Sequence, residues 1–329
     1  MPLSVVILAA GQGKRMKSDL PKVLQPLAGR PLLKHVIDVA QSLEPAGVHV
    51  VYGHGGERVR DALRNENVTW VLQAERLGTG HAVLQAVPEL PPDNLVLVLY
   101  GDVPLMRRAT LQELVDLAGP RAMSLLTMVV DDPSGYGRVV RNARGQVQKI
   151  VEQKDASAAQ LKIRECNSGI LAAPAKLLRK WLSVLKNHNA QGEYLLTDIV
   201  AMAVKDKVKV NPLIAPTRAE VLGVNDKVQL AELESLRRSQ MARELMLAGI
   251  TLADPARVDV RGTLGHGSDV FIDVNVVFEG DVTLGNRVRI GPNCVIRDAR
   301  LGDDSEVPAN SVIDGARADA AKPPTKSKK

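Results

Sequence analysis

LSVVILAAGQGKRM, residues 3–16, decides the architecture of the first half of the chain. Its opening, LSVVILA, is apolar almost without interruption and runs into Gly11 and Gly13. A strand with one wet face alternates apolar and polar residues; an unbroken aliphatic run needs cover on both faces, as in a parallel sheet. The same logic reads strands at 48–52 (VHVVY), 68–72 (VTWVL) and 95–100 (LVLVLY). Helical spacing fills the gaps, at 31–43 (PLLKHVIDVAQSL), 56–64 and 80–87. Alternating strands and helices predict an α/β fold with a doubly wound, mostly parallel sheet. In such sheets ligands bind beyond the carboxyl ends of the strands, where the 9–16 loop lies.

Further along, DKVQLAELESLRRSQMARELMLA (226–248) reads as one long helix closed by Gly249, with Asp226 and Gln229 spaced as a capping pair. At 1.5 Å per residue it would be about 34 Å long, an arm between domains. A repeat follows. Ile272, Phe278, Leu284, Ile290 and Ile296 are six apart, and Val270, Val276, Val282, Val288 and Cys294 keep step two residues earlier. One residue is lost before Leu301, after which Val307 and Ile313 resume the period. Aliphatic residues at a strict period of six, with glycines following several of them, predict a parallel β-helix, with roughly three coils between 258 and 314. Ordinary strands and turns would give irregular spacing. The expected division is therefore 1–225, a linking helix 226–249, a short β-helix 250–314 and a disordered tail 315–329.

Composition bounds the function. The chain has 329 residues, 45% hydrophobic and only 2% aromatic, so its core is aliphatic. No apolar run is long enough to span a bilayer, and the first residues read as a strand rather than a signal peptide. Cys166 and Cys294 form no metal-spacing motif, and a reducing, cytoplasmic setting is expected. The net charge is +6, but Arg317, Lys322, Lys326, Lys328 and Lys329 against Asp319 supply +4 of it at the end, leaving the body near +2. That excludes a nucleic-acid footprint; the tail reads as solvated chain, or as a weak anionic contact.

The 9–16 loop is neither a Walker A motif nor G-x-G-x-x-G, since Met16 replaces the third glycine. It offers backbone amides with Lys14 and Arg15, and Lys22 follows in SDLPK. Amides and cations together suit a triphosphate; the loop alone would read equally well as a flexible turn with surface cations. Asp102 ends a buried strand facing the ligand crevice, though it could be a turn residue before Pro104. Asn225 could itself cap the long helix; with Asp226 as the cap it is left to face a ligand.

LAAGQGKRM, LPKVL, YGHGG, WVLQAERLGTGHA, LYGDVPL, DDPSGYGRVV, IVEQKDA, NSGIL, NAQGEYLLTDIV and GVND occur in this order from residue 3 onward. Together with the repeat, to about residue 314, they resemble the bifunctional N-acetylglucosamine-1-phosphate uridyltransferase/glucosamine-1-phosphate acetyltransferase family. The resemblance implies a left-handed β-helix and transfer of UMP from UTP to N-acetylglucosamine 1-phosphate, for cell-wall and lipopolysaccharide precursors. It assigns Mg²⁺ to Asp102 and Asn225, the β- and γ-phosphates to Arg15, and the α-phosphate to Lys22. Leu8, Ala9, Ala10, Gly11, Gln73, Gly78 and Thr79 would bind the nucleotide, Gln73 pairing with uracil through one donor and one acceptor. Gly137, Glu152 and Asn167 would bind the sugar, with Tyr100, Gly101, Tyr194 and Thr197 around them. Cys166 is not read as a nucleophile, because such a transfer needs no covalent intermediate. The family continues through further coils that carry the acetyltransferase site; here the repeat stops near Ile313, so a truncated member without acetyl transfer is expected, and the resemblance implies a homotrimer through its coils. Two other readings remain: another sugar phosphate or nucleotide, or a silent binding subunit, which would have no chemical reason to keep Arg15, Lys22, Asp102 and Asn225 together.

Overall fold

A computed structural model describes residues 1–53, 56–315 and 317–318. His54 and Gly55 of the YGHGG motif lie outside the described residues, as does most of the expected disordered tail. The chain forms two compact units, Met1–Gln25 with Leu32–Lys227, and Pro26–Pro31 with Val228 onward.

In the first unit the elements run β1 (Leu3–Leu8), α1 (Leu32–Gln41), β2 (Gly47–Gly53), α2 (Glu57–Ala62), β3 (Thr69–Gln73), α3 (Thr79–Ala86) and β4 (Leu95–Tyr100). Then come α4 (Arg108–Asp116), β5 (Ala122–Val129), β6 (Arg138–Arg141), β7 (Val147–Val151), β8 (Glu165–Pro174), α5 (Ala175–Leu182), α6 (Asp198–Lys205) and β9 (Lys209–Ile214). The main path of the sheet is β9-β5-β8-β4-β1-β2-β3. β1 pairs parallel with both β2 and β4, while β8 runs antiparallel to β4 and β5. The sheet is thus mostly parallel, as the unbroken apolar runs require.

Those runs are covered on both faces. Val5, Ile7, Leu97 and Leu99 pack with Leu33, Val36 and Ile37 of α1 and with Leu111 and Leu114 of α4. Val6, Leu8, Val96 and Val98 pack on the other face with Val83 of α3, Trp181 of α5 and Ile199 of α6. The chain moves from β1 to β2 on one side and returns through β4 on the other. The strand order therefore reverses between β1 and β4, and a crevice opens at their carboxyl ends.

The second unit carries the long helix α7, Lys227–Leu247, with Gly249 in the left-handed region (φ 98°) just beyond it. The Ala28 N–H donates to the Glu234 carboxylate at 2.9 and 3.1 Å, tying the Pro26–Pro31 hairpin to this helix. The hexapeptide segment winds as parallel coils: Val258–His266 pairs in register with Val276–Leu284, eighteen residues on. Both predicted series point inward, and every member from Val270 to Ile296 is at most 1% exposed. The lost residue lies at a corner. Three residues separate inward Phe278 from Val282, but only Arg297 and Asp298 separate Ile296 from Ala299. Gly280 (φ 70°) makes room there, since a Cβ on it would lie 2.0 Å from Asp298 Oδ1. Asn275, Asn293 and Asn310 stack on another corner at 2.8 and 3.2 Å, each with positive φ.

Candidate active site

Each element of the crevice brings its residues by its carboxyl end. β1 delivers Leu8 and the loop from Ala9; Ala9 N–H donates to Val51 O (2.8 Å) and Gly101 N–H to Leu8 O (2.9 Å). β4 delivers Tyr100 and Asp102. β3 ends on Gln73, and the loop after it leads through Gly78 into α3. A cleft of about 330 Å³ is lined by Leu8, Ala9, Ala10, Gly11, Lys22, Gln73, Gly78, Thr79, Tyr100 and Asp102, all expected, together with Val23, Arg76, Ala82 and Glu193. A second cleft of about 390 Å³ adjoins it; Gln12 and Lys14 line it, and the two share Gly11 and Arg76.

Charge organises the rim. The Lys22 ammonium is paired with Asp102 Oδ2, both side chains largely buried. Arg15 Nη2 donates to Asn225 Oδ1 at 2.9 Å. Val224 N–H donates to the carbonyl of Asp102 (3.0 Å), which brings the GVND loop alongside the end of β4. Each cation proposed for phosphate thus sits on an oxygen proposed for metal, so Asn225 is not left free as the sequence suggested. The donors fit Mg²⁺: one carboxylate and one amide oxygen are hard ligands, and an ion that keeps waters and phosphate oxygens needs few protein groups. Among the described residues no cluster of three or more His, Cys, Asp or Glu could hold a metal.

Gln73 is 3% exposed, and its Nε2 lies 3.2 Å from Gly78 O and 3.0 Å from His81 Nδ1. Its amide hydrogens are therefore committed within the protein. The expected donor-and-acceptor pairing narrows to one acceptor, Oε1. Tyr194 N–H donates to Leu77 O and Gly80 N–H to Tyr194 O, both 2.8 Å, so the 77–80 loop and the 193–194 segment are zipped together.

The sugar candidates form a second group. Thr197 Oγ1 donates to Glu152 Oε1 (2.9 Å), and Asn167 N–H donates to Gly137 O (2.9 Å). A Cβ on Gly137 would meet Ile150 Cγ2 at 2.9 Å and Glu152 Oε2 at 3.4 Å, so that position is close to its neighbours. Gly169 N–H donates to Asn167 Oδ1 (3.1 Å), which uses one lone pair and leaves Nδ2 as its donor. Burial raises the Glu152 carboxyl above its ordinary value; the Thr197 hydrogen bond opposes this, and Asp198, Asp155 and Glu193 add to it. Burial also raises the Tyr100 phenol, with the Asp102 and Glu152 charges adding, so it stays un-ionised between the two groups. A Cβ on Gly101 would meet Leu33 Cδ1 at 3.1 Å and Ala9 Cβ at 3.3 Å. Cys166 is fully buried with its thiol raised by burial, which suits a core residue rather than a nucleophile.

Arg76 and Glu193 went unassigned in the sequence, although both lie inside quoted motifs, WVLQAERLGTGHA and NAQGEYLLTDIV. A long side chain inside a loop motif, next to a glycine-rich turn, was the available signal.

A model of the MobA-like NTP transferase domain matches residues 5–246, and one of the bacterial transferase hexapeptide repeat matches 266–298. The bifunctional protein GlmU of Marinobacter nauticus is 58% identical over 315 residues, 96% of this chain and 69% of that protein. The chain belongs to the GlmU family. GlmU of Burkholderia vietnamiensis is 56% identical over 97% of the chain, which spans 70% of its length. Two solved structures support the fold alone. A UDP-glucose pyrophosphorylase complexed with UDP-glucose has TM-score 0.58 at 17% identity and covers 73% of this chain and 100% of its own. A putative glucose-1-phosphate thymidylyltransferase from Bacillus anthracis has TM-score 0.56 at 20% identity, covering 71% and 94%. GlmU membership accounts for both parts of the chain, the nucleotidyltransferase sheet and the hexapeptide coils.

Proposed function

We propose that the chain transfers UMP from UTP to N-acetylglucosamine 1-phosphate, giving UDP-N-acetylglucosamine and pyrophosphate. The observation that carries this is the rim of the cleft: two cations, Lys22 and Arg15, set on two hard oxygens, Asp102 and Asn225, beside a buried amide that offers an acceptor. A phosphate oxygen of the sugar phosphate bonds to the α-phosphorus of UTP as the bond to the bridging β-oxygen breaks. The nucleophile is already an anion, so no side chain needs to take a proton. The residues' task is to hold two repelling anions in line. Lys22 holds the α-phosphate, Arg15 the β- and γ-phosphates, and the amides of Ala10 and Gly11 the neighbouring oxygens. Asp102 and Asn225 would hold Mg²⁺, which would offset the negative charge of the phosphates. Glu152, Asn167 and the Gly137 backbone orient the N-acetylated sugar, with Tyr100, Tyr194 and Thr197 supporting them.

In this reading the first unit is the uridylyltransferase domain and the coils mediate a homotrimer. Two buried, unlinked cysteines support a reducing cytoplasmic setting, and no helix among the described residues is long and apolar enough to cross a membrane. The test is pyrophosphate release from UTP and N-acetylglucosamine 1-phosphate, with and without Mg²⁺, against glucose 1-phosphate. Release that requires Mg²⁺ and favours the N-acetylated sugar is expected. No release with either sugar would favour a silent binding subunit.

A further inference from the structure

The side chain behind Gln73 carries a conflict that resolves in one way. His81 Nδ1 stands 3.0 Å from Gln73 Nε2, and His81 Nε2 stands 3.1 Å from Gln85 Nε2. Both glutamine nitrogens are donors, whereas a neutral imidazole accepts at one nitrogen and donates at the other. One amide must therefore turn, because the oxygen and nitrogen of an amide are assigned by their partners. Gln73 is buried, and its Nε2 also gives to Gly78 O at 3.2 Å. Turned over, it would set two oxygens face to face away from water, which is costly. Gln85 is half-buried, and its other contact, to the carbonyl of His81, is long at 3.3 Å and replaceable by water. Gln85 is the amide that turns. His81 then carries its proton on Nε2, donates to Gln85 Oε1, and accepts from Gln73 at Nδ1. The Tyr194 ring, with its centroid 6.4 Å away and tilted 35°, lies beside the imidazole.

We propose that His81 is a positioning residue for base selection: its Nδ1 locks the Gln73 amide so that only Oε1 faces the nucleotide. This rests on the uridylyl-transfer reading. Uracil presents an N3–H donor, which Oε1 accepts; cytosine presents a bare N3 acceptor, which would meet Oε1 as one acceptor against another. Without the His81 partner only the 3.2 Å contact to Gly78 O opposes a turn, so Gln73 is freer to turn and donate to cytosine. A site whose polar pattern is fixed rejects the wrong base, because a buried group would be left unpaired.

The test compares kcat/KM for UTP and CTP in the full chain for wild type, His81→Leu and His81→Asn. His81→Leu is expected to reduce the UTP:CTP preference by roughly ten- to a hundredfold, chiefly through gained CTP turnover. His81→Asn, whose Oδ1 takes the place of Nδ1, should restore most of it. A merely structural role would lower both turnovers together and leave the ratio unchanged, and that result overturns the proposal. An independent readout needs no activity: ¹⁵N–¹H correlation of the imidazole in the free protein should place the His81 proton on Nε2, and a proton on Nδ1 would refute the lock. If wild type turns over neither nucleotide, the uridylyl-transfer reading fails, while the ring correlation still decides the position of Gln73.

Discussion

Gly78→Ala should damage the nucleotide cleft far more than an alanine at the nearby loop glycine Gly192. Gly78 sits at φ 113°, ψ 175°, a region open essentially to glycine alone. A Cβ there would lie 2.6 Å from Tyr194 O, 2.9 Å from Tyr194 N and 3.0 Å from Glu193 Cβ, two of which are backbone atoms that cannot swing aside. Leaving that conformation costs about 1–3 kcal/mol. Pushing the 193–194 segment away also breaks the pair of 2.8 Å hydrogen bonds that zip it to Leu77 and Gly80, at about 0.5–1.5 kcal/mol each. A loss of about 2–6 kcal/mol is expected in urea unfolding of the first unit. Because Gly78, Thr79 and Gln73 line the cleft, KM for UTP should rise at least tenfold. Gly192→Ala is the matched control: it too has positive φ (68°), but a Cβ there meets nothing within 4 Å. It should cost only about 1–2 kcal/mol of backbone strain. If Gly78→Ala proves no more costly than Gly192→Ala in both stability and KM, the account of this loop is wrong.

Asp102→Ala should nearly abolish pyrophosphate release at limiting Mg²⁺, and Arg15→Ala should lower kcat by ~10²–10³-fold; near-normal turnover by the former would remove the metal assignment. Thr197→Val takes away the hydrogen bond that favours the ionised Glu152, so the acid limb of kcat/KM for the sugar phosphate should move to higher pH while KM for UTP stays put. An unmoved limb would take Glu152 out of sugar binding. Phe278→Ala empties the centre of a coil and should cost about 3–5 kcal/mol in unfolding of the second unit, read as a lower urea midpoint at unchanged m. His49 is buried with Nδ1 unpartnered, and burial lowers its pKa. The unfolded chain therefore binds a proton first as pH falls, so stability present at neutral pH is lost below the ordinary histidine value. His49→Leu should flatten that acid-side decline, as measured by urea midpoints across pH 5–8.

Burial was legible in the sequence because periodicity encodes it directly. Residues 3–8 and 95–100 are almost continuous in apolar character, and the structure divides each run between two cores on opposite faces of the sheet. The six-residue period located both inward series and even the missing residue before Leu301. The motifs brought most nucleotide candidates to one cleft. What escaped was partnership. Arg15 and Asn225 are 210 residues apart, and nothing local says that they meet. Likewise, Gln73 reads as a versatile amide until Gly78 O and His81 Nδ1 have claimed its hydrogens. The hairpin at 26–31 is flanked in sequence by first-unit residues, yet it belongs to the second unit, where the Glu234 carboxylate accepts from its Ala28 N–H.

The shortened corner at Arg297–Asp298 shows where this coil counts residues and where it does not. Along a straight side, adding or removing one residue exchanges inside for outside for everything downstream. At a corner the same change alters only the tightness of a bend, and Ala299 and Leu301 still land on the axis beneath Val282 and Leu284. The sides keep parity and the corners absorb error, so insertions and loops can be spliced into the corners without disturbing the stack.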